Sequence, residues 1–254
     1  MSGAMNIVII GAHVDDHWFG MGGTMLKAAR GGHKVTVIQA VDVYCAWPVV
    51  NGREAEFKAA SRKLTGQTGV EVIGLGYDYQ RMVTGPKLVT KIAERLVDLK
   101  PDLLFCPWEE DINQDHVVIG RCSCLAGTGA YSFLPPEHAM MKLPKQVLRY
   151  ALDVNARGFR PDGFVDITRV LYDMLEMNNV FDELYSKHPL WPNMLKRLTV
   201  TDHHNKDRTI TANAQSEAIL ARSTLQGFQS QCRYADAFAS YRHVPASENL
   251  LAQI

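Results

Sequence analysis

Long apolar runs are missing from this 254-residue chain. No stretch approaches the roughly 18 apolar residues that a membrane-spanning helix needs. No charged segment leads into an apolar one at the N-terminus in the manner of a secretory signal. Net charge is missing as well, because 27 Lys and Arg balance 27 Asp and Glu. A neutral chain gives no electrostatic reason to expect nucleic acid or an anionic membrane as partner. Cysteine is scarce: Cys45, Cys106, Cys122, Cys124 and Cys232. An odd count without paired spacing argues against a disulfide framework and for reduced thiols, as in the cytoplasm. The C-x-C at 122–124 reads as two core thiols. A dinucleotide fingerprint is absent too. Gly20, Gly22 and Gly23 lack the full G-x-G-x-x-G pattern, and they follow an acidic cluster that would repel a pyrophosphate. Close packing of helix on sheet is the better account of them.

What remains is an ordinary globular composition, 46% apolar and 21% charged, in a length that fits one large α/β domain. Asn6 to Gly11 is a short continuous apolar run, the mark of a strand buried on both faces. Strand patterns recur at Lys34–Ala40, Val70–Gly74 and Asp102–Cys106. Helical spacing lies between them, at Phe19–Arg30, Glu54–Leu64 and Pro86–Leu99. The alternation predicts βαβ units and a mostly parallel sheet. Gln146–Leu152 and Gly163–Ile167 read as further strands, and Leu171–Leu184 and Ala212–Gln226 as helices. Residues 185–215 are polar and Pro-containing, the pattern of a lid or of a subunit contact in a homo-oligomer. The expected architecture is an α/β, Rossmann-like three-layer sandwich in a single domain spanning 1–254.

In such sheets ligands bind beyond the carboxyl ends of the strands. Gly11-Ala12-His13-Val14-Asp15-Asp16-His17 follows the first strand and sets four metal-binding or proton-moving side chains within five positions. Two adjacent carboxylates repel each other at a strand end unless a cation sits between them. His13 and Asp16 are expected to turn toward one ion, with Asp15 beside it. After the fourth strand comes Trp108-Glu109-Glu110-Asp111-Ile112-Asn113-Gln114-Asp115-His116, where a helix should begin near residue 115. His116 is the expected third ligand. Asp115 is placed to orient a ligand imidazole, and Asp is also favoured as a helix N-cap. A lone His after a strand is usually a satisfied loop or core residue, but the adjacent carboxylates favour metal at the first stretch. Asp115-His116 alone reads equally well as a capped helix with an ordinary His, and beside the first stretch it too favours metal. Asp202-His203-His204 resembles a phosphoesterase motif, but its partner motifs are missing, and a solvated loop is the simpler reading.

These motifs resemble those of the LmbE/PIG-L de-N-acetylases, which carry A-H-P-D-D-E and, later, D-x-x-x-D-H. This chain has A-H-V-D-D-H at 12–17 and D-I-N-Q-D-H at 111–116. Further likenesses are Arg53-x-x-Glu56-x-x-x-Ala60, Leu75-Gly76-Tyr77-Asp78, Phe164-Val165-Asp166-Ile167-Thr168 and Tyr234-Ala-Asp-Ala-Phe238. The resemblance implies one Zn2+ per chain held by His13, Asp16 and His116. It implies Asp15 as general base and a small-molecule substrate of N-acetylglucosaminyl type. Arg53 and Asp78 are then candidates to bind sugar hydroxyls, and Trp108 to stack on a sugar ring. Val14 stands where the family has Pro, His17 where it has Glu, and Asn113 where many members have His. His17, Asn113 and Asp115 are therefore candidates for proton transfer or ligand support. His203, His204 and Tyr234 stay unranked beside His17 as aids to the leaving amine. A thiol-sugar amidase or a non-catalytic binding protein would share the same framework.

Overall fold

A computed structural model describes residues 3–129, 132, 134–135, 138, 142–153, 156–189, 195–242 and 250–254. Among them lies a seven-stranded sheet in the order β3-β2-β1-β4-β5-β9-β6. β1 (Asn6–Gly11), β2 (Lys34–Val43), β3 (Glu71–Asp78), β4 (Leu103–Pro107) and β5 (Gln146–Tyr150) run parallel. β1 is the apolar run NIVIIG, and five of its six residues are buried. It pairs on one side with β2 (Ile7 opposite Val35) and on the other with β4 (Ile7 opposite Leu103).

α1 (Asp16–Arg30), α2 (Glu54–Thr68), α5 (Leu171–Ser186) and α6 (Ala214–Gln229) contact one another, while α3 (Pro86–Leu99) packs on α4 (Gln114–Gly129). Right-handed crossovers place these two groups on opposite faces of the sheet, giving three layers. From β1 the chain leaves through α1 toward β2; from β4 it leaves through α4 toward β5. The departures diverge, and a crevice opens between the carboxyl ends of β1 and β4, the topological switch point where such sheets bind ligands. Both motif stretches begin there.

The last third departs from the parallel pattern. β9 (Ala235–Ser240) inserts antiparallel between β5 and β6 (Gly163–Asp166), with Tyr150 opposite Phe238 and Phe164 opposite Ala237. The Asp236 carboxylate on β9 accepts hydrogen bonds from the Thr24 amide (2.7 Å) and hydroxyl (2.8 Å), fastening α1 to the sheet. Within the stretch expected to be a polar loop, β7 (Lys196–Thr201) and β8 (Asp207–Ala212) form an antiparallel hairpin. Val200, Ile210 and Ala212 are buried at alternate positions, and β8 packs on α5. Asp202 caps the hairpin turn, its carboxylate accepting the His204 and Lys206 amides, and both histidine side chains of Asp202-His203-His204 are exposed.

α1 begins at Asp16, three residues earlier than its apolar spacing predicts, because the Asp15 carbonyl already accepts the Trp18 and Phe19 amides. It kinks at Met21 (φ −153°, ψ 30°). A kink frees carbonyls that must find donors. The buried Arg222 guanidinium on α6 supplies them, donating to Phe19 and Gly20 as well as to Ala151 and Leu152. The glycines of this helix allow its close approach: a Cβ on Gly20 would stand 2.4 Å from two ring carbons of Tyr150, and one on Gly23 2.6 Å from Ile167. The Tyr150 ring cannot retreat, because it is fully buried and its hydroxyl donates to the Ile10 carbonyl at 2.8 Å. Gly20→Ala is therefore expected to lower unfolding free energy by about 1–3 kcal/mol through overpacking. Chemical denaturation of the two proteins side by side checks this, and equal midpoints would contradict it.

Candidate metal centre and active site

His13 sits two residues beyond β1, and His116 on the first turn of α4, 103 positions away in sequence. The crevice brings them together. His13 Nδ1 lies 3.1 Å from His116 Nε2 and 3.4 Å from Asp16 Oδ1, and His116 Nε2 lies 3.3 Å from Asp16 Oδ1. All three residues are buried, and as a group they could hold a metal ion. Ligands about 2.0–2.1 Å from a tetrahedral zinc stand roughly 3.3–3.4 Å from one another. The spacing of this triangle fits that geometry without rearrangement.

The far sides of the imidazoles sharpen the case. His13 Nε2 lies 3.1 Å from the Asp115 carboxylate, and His116 Nδ1 lies 3.1 Å from Asp111 Oδ1. The Asp115 hydrogen bond holds the His13 ring proton on the outer nitrogen and turns the inner lone pair toward the centre, and the Asp111 charge behind His116 favours the same arrangement there. Two lone pairs and a carboxylate oxygen then converge within 3.4 Å on buried residues. That arrangement is repulsive unless a cation stands in the middle. A proton can substitute. Burial disfavours both imidazolium ions, yet the Asp16 charge and the Asp115 and Asp16 hydrogen bonds push His13 up to about 9. Likewise, Asp16 and Asp111 push His116 up to about 10. The same pairing holds Asp16 well below the usual carboxylate range despite its burial.

The loops are braced by backbone and by neighbours that carry no motif. The His13 amide donates to Asp16 Oδ2 at 2.7 Å. The Val14 amide donates to the Tyr44 hydroxyl at 3.0 Å. Proline at this position would have no such proton to give. Asp115 is fully buried and also accepts the Gln80 amide at 2.9 Å. Gln80 holds a left-handed φ of 56° at the end of β3, a conformation that costs a non-glycine residue of order 1–3 kcal/mol. Asp115 does not cap α4. Asn113 does: its side-chain oxygen accepts the Asp115 amide at 2.9 Å and its carbonyl accepts the Val117 amide, which leaves the Asp115 carboxylate free to face His13.

Asp15 is buried beside the triangle and accepts a short hydrogen bond from the Tyr185 hydroxyl on α5. Burial and the neighbouring Asp16 charge raise its pKa to about 6, against the lowering effect of Tyr185. A carboxylate so placed is ionised near neutral pH yet basic enough to take a proton, the condition for general-base work. His17 behaves differently. Burial pulls its pKa down to about 4, its ring nitrogens lack hydrogen-bond partners among the described residues, and it is not part of the cavity wall. It is a neutral core imidazole at physiological pH.

A cavity of about 610 Å³ opens over the triangle. Asp15, Asp16, His13, Asp111, Asn113 and His116 form its floor, Trp47 and Tyr79 one wall, and Gln215, Ala218 and Ile219 of α6 another. Trp47 and Tyr79 stack with ring centres 5.3 Å apart and planes 16° from parallel. Arg53, Asp78 and Trp108 are not among the lining residues. The Arg53 guanidinium donates to the Leu184 carbonyl and pairs with Glu56. Asp78 pairs with Arg81. The Trp108 indole donates to the Arg157 carbonyl, with Arg149 over its ring. His203, His204 and Tyr234 also lie outside the cavity wall. Conversely, Tyr185, Trp47, Tyr79 and the α6 residues reach the site without belonging to any local motif.

The family model described as PIG-L, GlcNAc-PI de-N-acetylase, matches residues 8–126, which contain both motif stretches. Among solved structures, a conserved protein of Thermus thermophilus is similar at 19% identity, with 95% of this chain and 96% of that one covered and a TM-score of 0.72. The N,N'-diacetylchitobiose deacetylase of Pyrococcus horikoshii is similar at 18% identity, 96% and 88% coverage and a TM-score of 0.70. The 4-carboxy-2-hydroxymuconate hydratase of Pseudomonas putida is similar at 17% identity, 97% and 98% coverage and a TM-score of 0.67. At such identities the likeness fixes the fold.

The raised imidazole pKa values give a pH signature in metal-free protein. His13 and His116 stabilise the fold fully below their unfolded value near 6.5, and that contribution is lost as pH rises through about 9 and 10. Below 6.5 two effects oppose each other. Stability from Asp15 is lost as pH rises from its ordinary 3.8 to about 6, while stability from neutral His17 is gained from about 4 to 6.5. Chelator-treated protein should therefore lose stability steadily from pH 6.5 to 10, and saturating Zn2+ should flatten the decline. Denaturant titrations at several pH values read it; a flat alkaline limb in the metal-free protein would contradict it.

Proposed function

We propose that this chain, which belongs to the PIG-L family through residues 8–126, is a zinc-dependent hydrolase. It removes the N-acetyl group from an N-acetylglucosaminyl-type substrate, giving acetate and a free amine. The supporting observation is the triangle of His13 Nδ1, Asp16 Oδ1 and His116 Nε2 with the unligated Asp15 beside it.

A zinc ion held by His13, Asp16 and His116 would acidify a water and polarise the acetamide carbonyl. Asp15 accepts the proton as that water attacks the carbonyl carbon. Its raised pKa, about 6, lets it hold the proton and then deliver it to the departing nitrogen. One group thus serves as base and then as acid. Tyr185 fixes which Asp15 oxygen faces the cavity by donating to the other. Asp115 and Asp111 keep the ligand imidazoles in the tautomer that points a lone pair inward. The stacked Trp47 and Tyr79 offer an aromatic wall for the apolar face of a sugar ring. Gln215 offers an amide to its hydroxyls from the opposite wall.

Acetate release from N-acetylglucosamine glycosides, measured alongside metal content, tests this reading. Asp15→Asn should retain its metal and lose activity by about 10²–10⁴-fold. His116→Ala should lose metal and activity together. Metal-replete protein that releases no acetate from any such glycoside would overturn the reading, and addition of water to an unsaturated acid would then point to chemistry like that named for the Pseudomonas neighbour. Tyr185→Phe should lower kcat more than it raises KM, because the hydroxyl orients the base and does not face the substrate. An unchanged kcat would remove Tyr185 from the account.

A further inference from the structure

The turn between His13 and Asp15 is held by a residue that belongs to neither motif. β2 runs on past the end of β1, and its Val41 amide donates to the Ala12 carbonyl at 2.8 Å. Just beyond β2 stands Tyr44, which is fully buried. Its hydroxyl accepts the Val14 amide at 3.0 Å and donates to the Val41 carbonyl at 3.3 Å. These contacts form one clamp: Ala12 and Val14 are both tied to Val41, the second through the phenol. Val14 stands between the candidate ligand and the candidate base, and its amide has no other acceptor among the described residues. The Val41 carbonyl, by contrast, also accepts the Gln39 side-chain amide at 2.7 Å. Loss of the phenol oxygen would therefore orphan the Val14 amide alone. Tyr44 is not part of the cavity wall, so any influence it has on the chemistry runs through the loop.

Side chains that converge on an ion hold it tightly only when the backbone that aims them is fixed in advance. Proline fixes φ at about −65° through its ring and brings no amide proton. Val14, at the place where the PIG-L motif has Pro, lacks that ring and adds a buried donor that must be satisfied. One hydroxyl meets both needs. We propose that Tyr44 is the positioning residue of the metal loop: its hydrogen bond from Val14 sets the turn that aims His13 and Asp15, as a proline ring at position 14 would. The proposal rests on the metal-centre reading and deepens it by naming what fixes the first loop. Because bond and ring serve one purpose, residues 14 and 44 are coupled. Removing the hydroxyl harms a chain with valine at position 14 and spares a chain with proline there.

Zinc affinity, read by competition with a chromophoric chelator, tests this on native protein, Tyr44→Phe, Val14→Pro and the double variant. Tyr44→Phe keeps the ring and should weaken zinc binding by about 10–100-fold. On the Val14→Pro background the same change should alter affinity by less than about threefold. A tyrosine that only fills space or braces the core would give equal losses on both backgrounds. Hydrogen exchange gives a second readout without metal: the Val14 amide should exchange about tenfold or more faster in Tyr44→Phe than in native protein. Equal zinc affinities of native protein and Tyr44→Phe, or equal losses on both backgrounds, would overturn the proposal. Should Tyr44→Phe alone not fold, Val14→Pro and the double variant carry the comparison. Both should bind zinc within about threefold of native protein, and a loss of about tenfold or more in either would reject the proposal. Failure of the metal reading looks different, because native protein would then take up no zinc. The exchange rates still judge Tyr44 in that case, and equal rates would reject its role.

Discussion

Three electron-pair donors brought within 3.4 Å of one another, on buried residues at the floor of the cavity, form the constraint around which the rest of this protein is arranged. Left alone they repel. The fold nonetheless fixes them from both sides: β1 aims the first loop, α4 carries His116, and Asp115 and Asp111 stand behind the two rings. Such an arrangement persists only if a cation or captured protons neutralise it. The elevated imidazole pKa values are the protonic version of the same demand. Metal binding and proton release are therefore two faces of one equilibrium.

Support for the centre comes from an unusual amount of backbone held in fixed directions. The kink at Met21 turns the start of α1 across the sheet end, and Arg222 satisfies the carbonyls the kink exposes. That arginine also joins α6 to the Ala151–Leu152 segment, so the helix that walls the cavity is tied to the helix that carries Asp16. Gln80 keeps a left-handed backbone so that its amide can face Asp115. Local strain of this kind is expected where surrounding packing serves positioning.

His13, Asp16 and His116 were legible because they fall in short patterns at the ends of two strands. His13 and Asp16 must leave one strand within a single turn, and His116 must open the helix after another strand. β1, β2, β4 and α3 were legible for a similar reason, since burial on both faces or on one stripe writes itself into hydrophobic spacing. The hairpin of β7 and β8 was also written in alternation, in Leu198-Thr199-Val200-Thr201 and Thr209-Ile210-Thr211-Ala212, but charged and Pro-rich neighbours masked so short a signal. Tyr185, Trp47 and Tyr79 left no local mark. Their importance arises from tertiary approach, over 170 positions between Tyr185 and Asp15, which periodicity cannot convey. Asn113 shows a subtler limit. Its residue type fits either a polar contact to substrate or a helix cap, and only its hydrogen bond from the Asp115 amide shows the cap.

The most direct measurement of the central claim is X-ray absorption at the zinc edge on protein loaded with one equivalent of Zn2+. One tightly held ion is expected, with two imidazole nitrogens and carboxylate or water oxygens at about 2.0–2.1 Å, and with one imidazole contribution lost in His13→Ala. Zinc held only by oxygen donors, or the same spectrum after His13 is removed, would contradict it.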